Sequence, residues 1–351
     1  MKKTGKRILV TGGYGFMGSN FVRFLYEKYP LYQIFNFDAL TYAGNTDNLQ
    51  DIEHAEVRRP LSGRRYVFLK GDISDTRSVA SIFATHTFDA VVHLAAESHV
   101  DRSIHSVVDF IRTNVEGTRI LLDAAREQGV PRLIHLSTDE VYGNVLKGFS
   151  KENAPLNPSN PYAASKAAGD FLVQSYVRTH RFPAIIVRPS NNYGPYQYPE
   201  KLIPLGITNL LEGKKIPIHG NGAHVRSWLH TEDFCSALDI ILHKAPVGEI
   251  YNIDGVHLTN LEILGLVAGH LGKKISRHII FTPDRPGADM RYAPDASKLK
   301  RDLGWKPKHN PRTAVPFVVD WYLKNDIWWR KIRQTQAFND QYQKQSRGRW
   351  G

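Results

Sequence analysis

The chain has 351 residues, 42% of them hydrophobic and 23% charged, which are ordinary values for a folded protein of one large or two smaller domains. No apolar run approaches the roughly 18 residues of a membrane span. The basic start also lacks the long apolar core of a signal peptide, so we expect a cytoplasmic protein without membrane contacts. The single cysteine, Cys235, excludes an intrachain disulfide, and the spacing of the histidines predicts no metal site.

The net charge of +12 fits an anionic partner, which is nucleic acid, membrane phosphate or a small diphosphate ligand. Basic residues are dispersed, except in residues 58–65 and in the C-terminal tail. Charge alone therefore selects none of these partners.

Short β-branched runs alternate with helical stretches through the first half of the chain. The predicted strands are 7–11, 33–37, 66–70, 90–94, 133–137, 184–188 and, later, 249–253, and the predicted helices are 19–28, 78–85, 107–128 and 161–180. This alternation is typical of a parallel sheet covered by helices. We predict an α/β fold, a Rossmann-type doubly wound parallel sheet with a smaller C-terminal substrate domain.

The sequence changes in character after Arg188, where segments rich in Pro, Gly, Asn and Tyr begin. We assign residues 1–188, with a return over roughly 227–255, to the sheet domain, and residues 189–226 and 256–330 to the substrate domain. Residues 331–351 form a basic tail, an appended helix or a loose segment, that we expect to be dispensable for chemistry.

A glycine-rich turn follows the first predicted strand and opens a helix, with the sequence Gly13-Tyr14-Gly15-Phe16-Met17-Gly18. Such glycines let backbone amides approach a pyrophosphate at the helix N-terminus. Asp38 ends the second strand, where a carboxylate accepts hydrogen bonds from ribose hydroxyls and repels a 2′-phosphate. The pattern predicts NAD rather than NADP, and a flavodoxin-like sheet without a dinucleotide is the minor alternative.

Tyr162 and Lys166 stand four residues apart on one face of a predicted helix. A phenol is a poor base at neutral pH, but an adjacent cation favours the phenolate. The pair can therefore remove a proton from a sugar alcohol while hydride leaves the same carbon. The spacing alone arises by chance on many helices, and the preceding glycine fingerprint is what gives it weight.

Two neighbouring carboxyl groups follow the fifth predicted strand, in Thr138-Asp139-Glu140. Such a pair often forms only a helix cap or a solvated turn, but the carboxyl edge of the sheet favours a catalytic role, in which Thr138 can bind the reacting oxygen. Epimerisation and alcohol oxidation need no such pair. Elimination of water does, because one group removes a carbon-bound proton while the other protonates the departing hydroxyl.

At these residues the chain resembles the extended short-chain dehydrogenase/reductases, and among them the dTDP-glucose 4,6-dehydratase family. Matching segments over roughly residues 6–330 are 10–13, 38–45, 95–103, 138–140, 162–166, 190–197, 199–204, 285–287, 291–293 and 303–305. So many matches in the same order are not coincidental. The resemblance implies a nucleotide-diphosphate hexose substrate, a tightly held NAD, a homodimer formed through long helices, and no nucleic-acid partner.

The resemblance also implies roles for single residues. Tyr162 is the base for oxidation at C4, Glu140 removes the C5 proton, and Asp139 protonates the C6 hydroxyl. Cofactor contacts are implied, together with the fingerprint, for Gly12, Gly15, Phe16, Met17, Gly18, Asp38, Leu40, Thr41, Asp72, Ile73, Leu94, Ala95, Ala96, Ser98, Thr113, Tyr162, Lys166 and Asn192. Substrate contacts are implied for Ser98, Thr138, Asn191, Lys201, Leu202, Pro217, Ile218, His219, Arg226, Asn260, Asp284, Arg285, Pro286, Gly287 and Ala288.

The chain departs from the family pattern at several positions, none of them among the five catalytic residues. Pro189 stands where cysteine is common, Ser227 where aspartate is common, His219 where tyrosine is frequent and Ala288 where histidine is frequent. The chemistry is therefore predicted more firmly than the nucleotide. The alternatives are a nucleotide-sugar 4-epimerase or decarboxylase on the same fold and, less favoured, a cofactor- or RNA-binding protein without catalysis.

Overall fold

The structure is a computed structural model that describes residues 5–60 and 63–347. Its strands are β1 Arg7–Thr11, β2 Gln33–Asp38, β3 Tyr66–Lys70, β4 Ala90–His93, β5 Leu133–Leu136, β6 Ala184–Pro189, β7 Asn191–Tyr193, β8 Ile216–His219, β9 Val225–His230, β10 Ile250–Ile253, β11 Val256–Thr259 and β12 Ile279–Thr282. Its helices are α1 Phe16–Lys28, α2 Gln50–Val57, α3 Thr76–Thr85, α4 Val100–His105, α5 Val108–Phe110, α6 Thr118–Glu127, α7 Pro161–His180, α8 Leu202–Leu211, α9 Thr231–Lys244, α10 Asn260–His270, α11 Ser297–Leu303, α12 Pro311–Lys324, α13 Asp326–Arg333 and α14 Gln336–Arg347. Within these ranges no helix has the length and apolar character needed to cross a membrane.

Seven parallel strands form the central sheet in the order β10-β6-β5-β4-β1-β2-β3. The order reverses between β1 and β4, and ligands of doubly wound sheets bind at such a switch point. The predicted Rossmann-type fold is confirmed, and the predicted strands differ from the observed ones by about one residue at their ends.

Helices cover both faces of this sheet because the strands are apolar on both sides. On one face, α1 and α9 pack through buried side chains such as Phe21, Leu25 and Phe234. On the other face, α3, α6 and α7 contribute residues such as Ile82 and Leu121. Cys235 is buried in α9.

A smaller lobe contains the sheet β11-β9-β7 and the parallel pair β12-β8. Its core unites α8, α10, α12, α13 and α14 around a separate group of buried apolar side chains. The lobe therefore has a hydrophobic core of its own. A site can form where the lobe meets the large sheet.

The structure differs from the expected domain boundaries in two places. Of the segment 227–255, only α9 and β10 return to the large sheet, because β9 pairs with β7 and β11 in the lobe. The tail is not loose over the part that is described. Ile332, Arg333 and Phe338 are buried, and α14 packs into the lobe core. Residues 348–351 of the predicted tail lie outside the described ranges.

Candidate active site

Two adjoining cavities lie at the carboxyl edge of the large sheet. The sheet cavity, of about 290 Å³, runs past the ends of the strands from β3 to β6. The lobe cavity, of about 160 Å³, lies between that edge and the smaller lobe. Seven residues line both cavities: Ser98, Glu140, Asn191, Asn192, Gln197, Glu200 and Lys201. A ligand in one cavity can therefore react with a ligand in the other.

The glycine-rich turn forms the floor of the sheet cavity. Gly12 has φ of +71°, and a Cβ there would lie 2.7 Å from the backbone of Ala95. A Cβ at Gly18 would lie 2.0 Å from the carbonyl oxygen of Gly12. A larger residue at either position would collide with this backbone. The two glycines therefore keep the backbone of the turn open to a pyrophosphate.

Asp38 lies at the end of β2 and is buried in the wall of the sheet cavity. Its Oδ2 accepts from the Tyr14 amide at 2.9 Å and its Oδ1 from the Leu40 amide at 2.7 Å. Burial raises the pKa of Asp38, and these two hydrogen bonds oppose that rise. The carboxylate is thus held in a position to accept hydrogen bonds from ribose hydroxyls. Leu40, predicted as a cofactor contact, does not line the sheet cavity. Its backbone has φ of 54°.

A π-helical turn, Ile111–Gly117, joins α5 to α6 and brings Thr113 to the sheet cavity. The next residue, Asn114, accepts from the Glu97 amide and donates to the Glu97 carbonyl, both at 2.9 Å. It also donates to Ser165 Oγ of α7 at 2.9 Å. Burial raises the pKa of Glu97, which lines the cavity, to about 7. Such turns often occur at functional sites. Glu97 lies in the matched segment 95–103 but was given no role, and no sequence signal identified Asn114.

Tyr162 and Lys166 lie one turn apart on α7, and both are buried and line the sheet cavity. Burial, strengthened by the Glu140 charge and opposed by a hydrogen bond with Thr138, raises the pKa of Tyr162. Burial lowers the pKa of Lys166 to about 8, although Asp170 opposes this. The proton lost near pH 8 is therefore that of Lys166, and the Tyr162 phenol stays protonated at that pH.

Asp139 begins a 3₁₀ turn, Asp139–Tyr142, that Thr138 caps by accepting from the Glu140 amide at 3.3 Å. Asp139 is 2% exposed, and its Oδ2 has no hydrogen-bond partner among the described residues. Burial and then the adjacent Glu140 charge raise the pKa of Asp139. The protonated form is favoured, which suits a general acid.

Glu140 lies in a different environment from its neighbour. Its Oε2 accepts from Asn160 Nδ2 at 3.3 Å and from Tyr292 Oη at 3.1 Å. The two adjacent carboxyl groups therefore differ in their contacts, because Asp139 Oδ2 is buried without a partner among the described residues, whereas Glu140 Oε2 accepts two hydrogen bonds.

A buried ion pair connects β6 with α7 and, through Tyr142, with the 3₁₀ turn. Arg188 of β6 donates to Asp170 of α7 at 2.8 Å and to the Tyr142 hydroxyl at 2.7 Å. The Tyr142 hydroxyl donates to Asn252 of β10 at 2.8 Å. Breaking a buried pair on one side costs about 3–5 kcal/mol, so this network fixes the 3₁₀ turn relative to α7.

Three cations line the lobe cavity: Lys201, Arg226 and Arg285. Lys201 donates to the Ser98 carbonyl at 3.0 Å, and Arg285 pairs with Asp101 at 3.0 Å. Arg226 donates to the Asp289 carbonyl at 2.9 Å and stacks over a tyrosine ring. Charge-assisted hydrogen bonds from arginine are well suited to a diphosphate.

The structure brings nearly all predicted site residues to these two cavities. All five predicted catalytic residues line the sheet cavity, as do the predicted cofactor residues except Leu40. Asp284 lies outside both lining sets and instead pairs with His224 Nε2 at 3.0 Å. Lining residues that the sequence did not single out include Tyr42, Glu97, His99, Asp101, Asn160, Gln197, Glu200, Asp289, Tyr292 and Gln345.

His230, Glu232 and His309 come together away from these cavities, with ligand atoms within 4.8 Å of one another. Their spacing along the chain gave no sign of this. His230 Nδ1 already accepts from the Glu232 amide at 3.3 Å, so its other ring nitrogen carries the proton in the neutral ring. We assign no metal to this group.

Known proteins resemble the chain over nearly its whole length. A family model described as GDP-mannose 4,6 dehydratase matches residues 9–316. A dTDP-glucose 4,6-dehydratase from Streptomyces niveus is 45% identical over 334 residues, 93% of this chain and 96% of that relative. The solved structure of a dTDP-glucose 4,6-dehydratase from Streptomyces venezuelae, with NAD and dTDP bound, is 45% identical with a TM-score of 0.87 and covers 93% of this chain and 99% of that chain.

A more distant solved structure is a UDP-glucose 4-epimerase from Thermus thermophilus in complex with NAD. It is 29% identical, has a TM-score of 0.81, and covers 91% of this chain and 99% of that chain. Fold alone therefore does not separate dehydratases from epimerases, but the dTDP-glucose 4,6-dehydratase is the more similar of the two structures, at 45% identity against 29%. The chain belongs to the GDP-mannose 4,6 dehydratase family, alongside the dTDP-glucose 4,6-dehydratases.

Proposed function

We propose that this protein is an NAD-dependent 4,6-dehydratase that converts a nucleotide-diphosphate hexose, most directly dTDP-glucose, to the 4-keto-6-deoxy sugar and water. The observation that carries the proposal is the pair Asp139 and Glu140. One carboxyl is buried with a raised pKa, and the other accepts two hydrogen bonds. Loss of water requires such an acid and such a base at the same time.

The sheet cavity fits NAD on its own geometry. The Gly12 and Gly18 positions leave no room for a Cβ, and the Asp38 carboxylate is fixed at the end of β2. These residues would hold the pyrophosphate and the adenosine ribose, while Tyr162 and Lys166 would face the nicotinamide end. When bound, NAD supplies a hydride acceptor for C4 and a hydride donor for C6, so none is consumed.

The side chains account for every proton in the reaction. Tyr162, with Lys166 beside it, removes the proton of the C4 hydroxyl as that carbon is oxidised. The new ketone acidifies the C5 proton, which Glu140 removes, and Asp139 protonates the C6 hydroxyl so that it leaves as water. Glu140 then returns its proton to C5, and the proton gained by Tyr162 balances the one lost by Asp139.

The main alternative is a 4-epimerase, because a structure with that activity shares the fold at a TM-score of 0.81. Epimerisation moves hydride at C4 and leaves C5 and C6 untouched. It has no use for a protonated acid beside a second carboxylate. Asp139 and Glu140 therefore favour dehydration over epimerisation and over a catalytically inactive binding role.

A homodimer is part of the proposal. Helix α5, the π-helical turn and α7 pack side by side, and they leave Val108, Ile111 and Phe171 exposed. An exposed apolar face on paired helices is typical of a helix-to-helix interface. Sedimentation of the wild type and of Phe171→Glu tests this, with a monomeric variant expected.

The experiment for the activity is incubation with dTDP-glucose, followed by mass spectrometry of the nucleotide sugar. We expect a product lighter by one water without added cofactor. An epimerase would give a product of unchanged mass, and an inactive protein would give none. Parallel incubations with UDP-, CDP- and GDP-glucose identify the nucleotide that the site prefers.

A further inference from the structure

The C-terminal helix α14 follows the region matched by the family model, which ends at residue 316. It is nevertheless firmly packed. Phe338 is 2% exposed and contacts the Tyr198 ring. The Tyr342 hydroxyl accepts from Asn209 Nδ2 of α8 at 3.0 Å. Helix α14 is therefore fixed against Tyr198 and α8 of the lobe.

One face of α14 carries Phe338, Gln341 and Gln345, and all three are buried. Residues three, four or seven apart share a face of a helix, and here that face points into the protein. Gln345 reaches the wall of the lobe cavity. Its Nε2 donates to the Glu200 carbonyl at 3.4 Å.

That hydrogen bond fixes the orientation of the amide, because only the nitrogen of a glutamine side chain can donate to a carbonyl. The other amide atom, Oε1 of Gln345, is buried and has no partner among residues 5–60 and 63–347. Buried acceptors in folded proteins nearly always have a donor. A ligand in the lobe cavity that donates a hydrogen bond would give Gln345 Oε1 the partner that it lacks.

The chemistry of the cavity limits which part of the ligand that donor belongs to. Phosphate oxygens only accept, and Arg226 and Arg285 suit them. The reacting end of the hexose must lie where the two cavities meet, because it reacts with the contents of the sheet cavity. Gln345 lines the lobe cavity alone. The non-reacting hydroxyls of the hexose are donors as well, but Gln345 does not line the sheet cavity against which the sugar reacts. The nucleoside is therefore the favoured part, and it offers a base imide N–H or a ribose hydroxyl.

We infer that Gln345 is a specificity-determining residue for the nucleoside, with Oε1 accepting a hydrogen bond from its base or its sugar. This inference rests on the proposed function for the identity of the ligand. Helix α14 is then part of the substrate site, and the lobe cavity is incomplete without it.

Calorimetric titration of Gln345→Met tests the inference, because methionine keeps the length of the side chain but cannot form the hydrogen bond. Gln343→Met is the matched control, since it lies on the same helix and is exposed. The probes are dTDP, N3-methyl-dTDP, which lacks the imide N–H, and 3′-deoxy-dTDP, which lacks the hydroxyl. We expect Gln345→Met to weaken dTDP binding by roughly threefold to tenfold, to raise KM and to leave kcat within about twofold of wild type.

The two analogues identify the donor. If the base donates, binding of N3-methyl-dTDP is insensitive to Gln345→Met, and if the ribose donates, binding of 3′-deoxy-dTDP is insensitive. Unchanged dTDP affinity in Gln345→Met would overturn the inference, and so would equal losses for all three probes, which indicate a general disturbance. A wild type that binds dTDP but does not dehydrate dTDP-glucose counts against the proposed function alone.

Discussion

The two cavities are built in different ways. The sheet cavity is formed by turns that follow successive parallel strands, and its floor is glycine backbone. The lobe cavity is lined by residues 98–101 and 191–192 and by residues of α8, β8, β9, α10, the 285–289 loop and α14. A backbone site is encoded by short motifs, whereas a side-chain site is assembled from distant segments. The redox chemistry and the choice of substrate therefore depend on different kinds of sequence information.

The largest expected effect is the loss of all chemistry in Tyr162→Phe, which tests the sheet cavity at its centre. The phenol acts before any other step, so turnover should fall by about 10⁴-fold. The ring still packs against Phe110, and folding and NAD content should survive. Product formation by mass spectrometry, with chromatography of the extracted cofactor, measures both. Dehydration at the wild-type rate would refute the mechanism at its first step.

The next largest effect is expected for Glu140→Gln, which separates oxidation at C4 from the loss of water. Oxidation at C4 should proceed, because Tyr162 and Lys166 are unchanged, while loss of water should slow by about 10²–10⁴-fold. Adding substrate should give a single burst of absorbance from reduced cofactor and no product lighter by one water. Asp139→Asn should behave in the same way. Full dehydration by either variant would show that the carboxyl pair has another role.

The lobe core should be sensitive to its C-terminal helix, whereas the sequence-based prediction of a dispensable tail concerned chemistry only and stays a prediction. Phe338→Ala removes a side chain that is 2% exposed, so the free energy of unfolding should fall by about 3–5 kcal/mol. Phe317→Ala is the control, because Phe317 is 74% exposed and its loss should cost less than about 0.5 kcal/mol. Urea unfolding compares them. Equal stabilities would mean that α14 contributes nothing to the lobe.

A smaller effect is expected on cofactor retention. Asp38→Asn keeps the shape of the side chain but loses the charge that accepts from ribose hydroxyls. Hydrogen bonds to charged groups contribute about 1.5–3 kcal/mol, which corresponds to NAD binding weaker by roughly 10- to 100-fold. Cofactor content after gel filtration reports this change. Unaltered retention of NAD would place the ribose elsewhere.

The smallest effect is the response of the catalytic pair to pH. Burial lowers the pKa of Lys166 to about 8, so below that pH Lys166 keeps its proton and cannot take up the proton that Tyr162 removes from the sugar. We expect kcat/KM to rise about tenfold per pH unit as pH approaches about 8, and then to level off. The rise should be absent in the residual activity of Lys166→Met. A flat profile in the wild type would show that this pair does not limit the reaction.

The fold and the sheet cavity could be predicted from the sequence because the residues that indicate them lie close together along the chain. The glycines follow one strand directly, and Tyr162 and Lys166 share one helical turn. The family resemblance added the roles of Asp139 and Glu140, although it could not show their environments. Glu140 is bound by Tyr292, 152 residues away along the chain. Gln345 lies beyond the matched pattern. Contacts of such range depend on tertiary packing, so residue spacing cannot reveal them.

The position of β10 has a consequence for how the protein is made. The edge of the large sheet beside β6 is completed only by residues Ile250–Ile253, after the chain has passed through the first strands of the lobe. During synthesis, a chain that has reached Pro189 therefore presents the open edge of β6 to its surroundings. Exposed strand edges are templates for pairing with other chains. Translation slowed between residues 189 and 253 should increase aggregation, whereas the same delay after Ile253 should not.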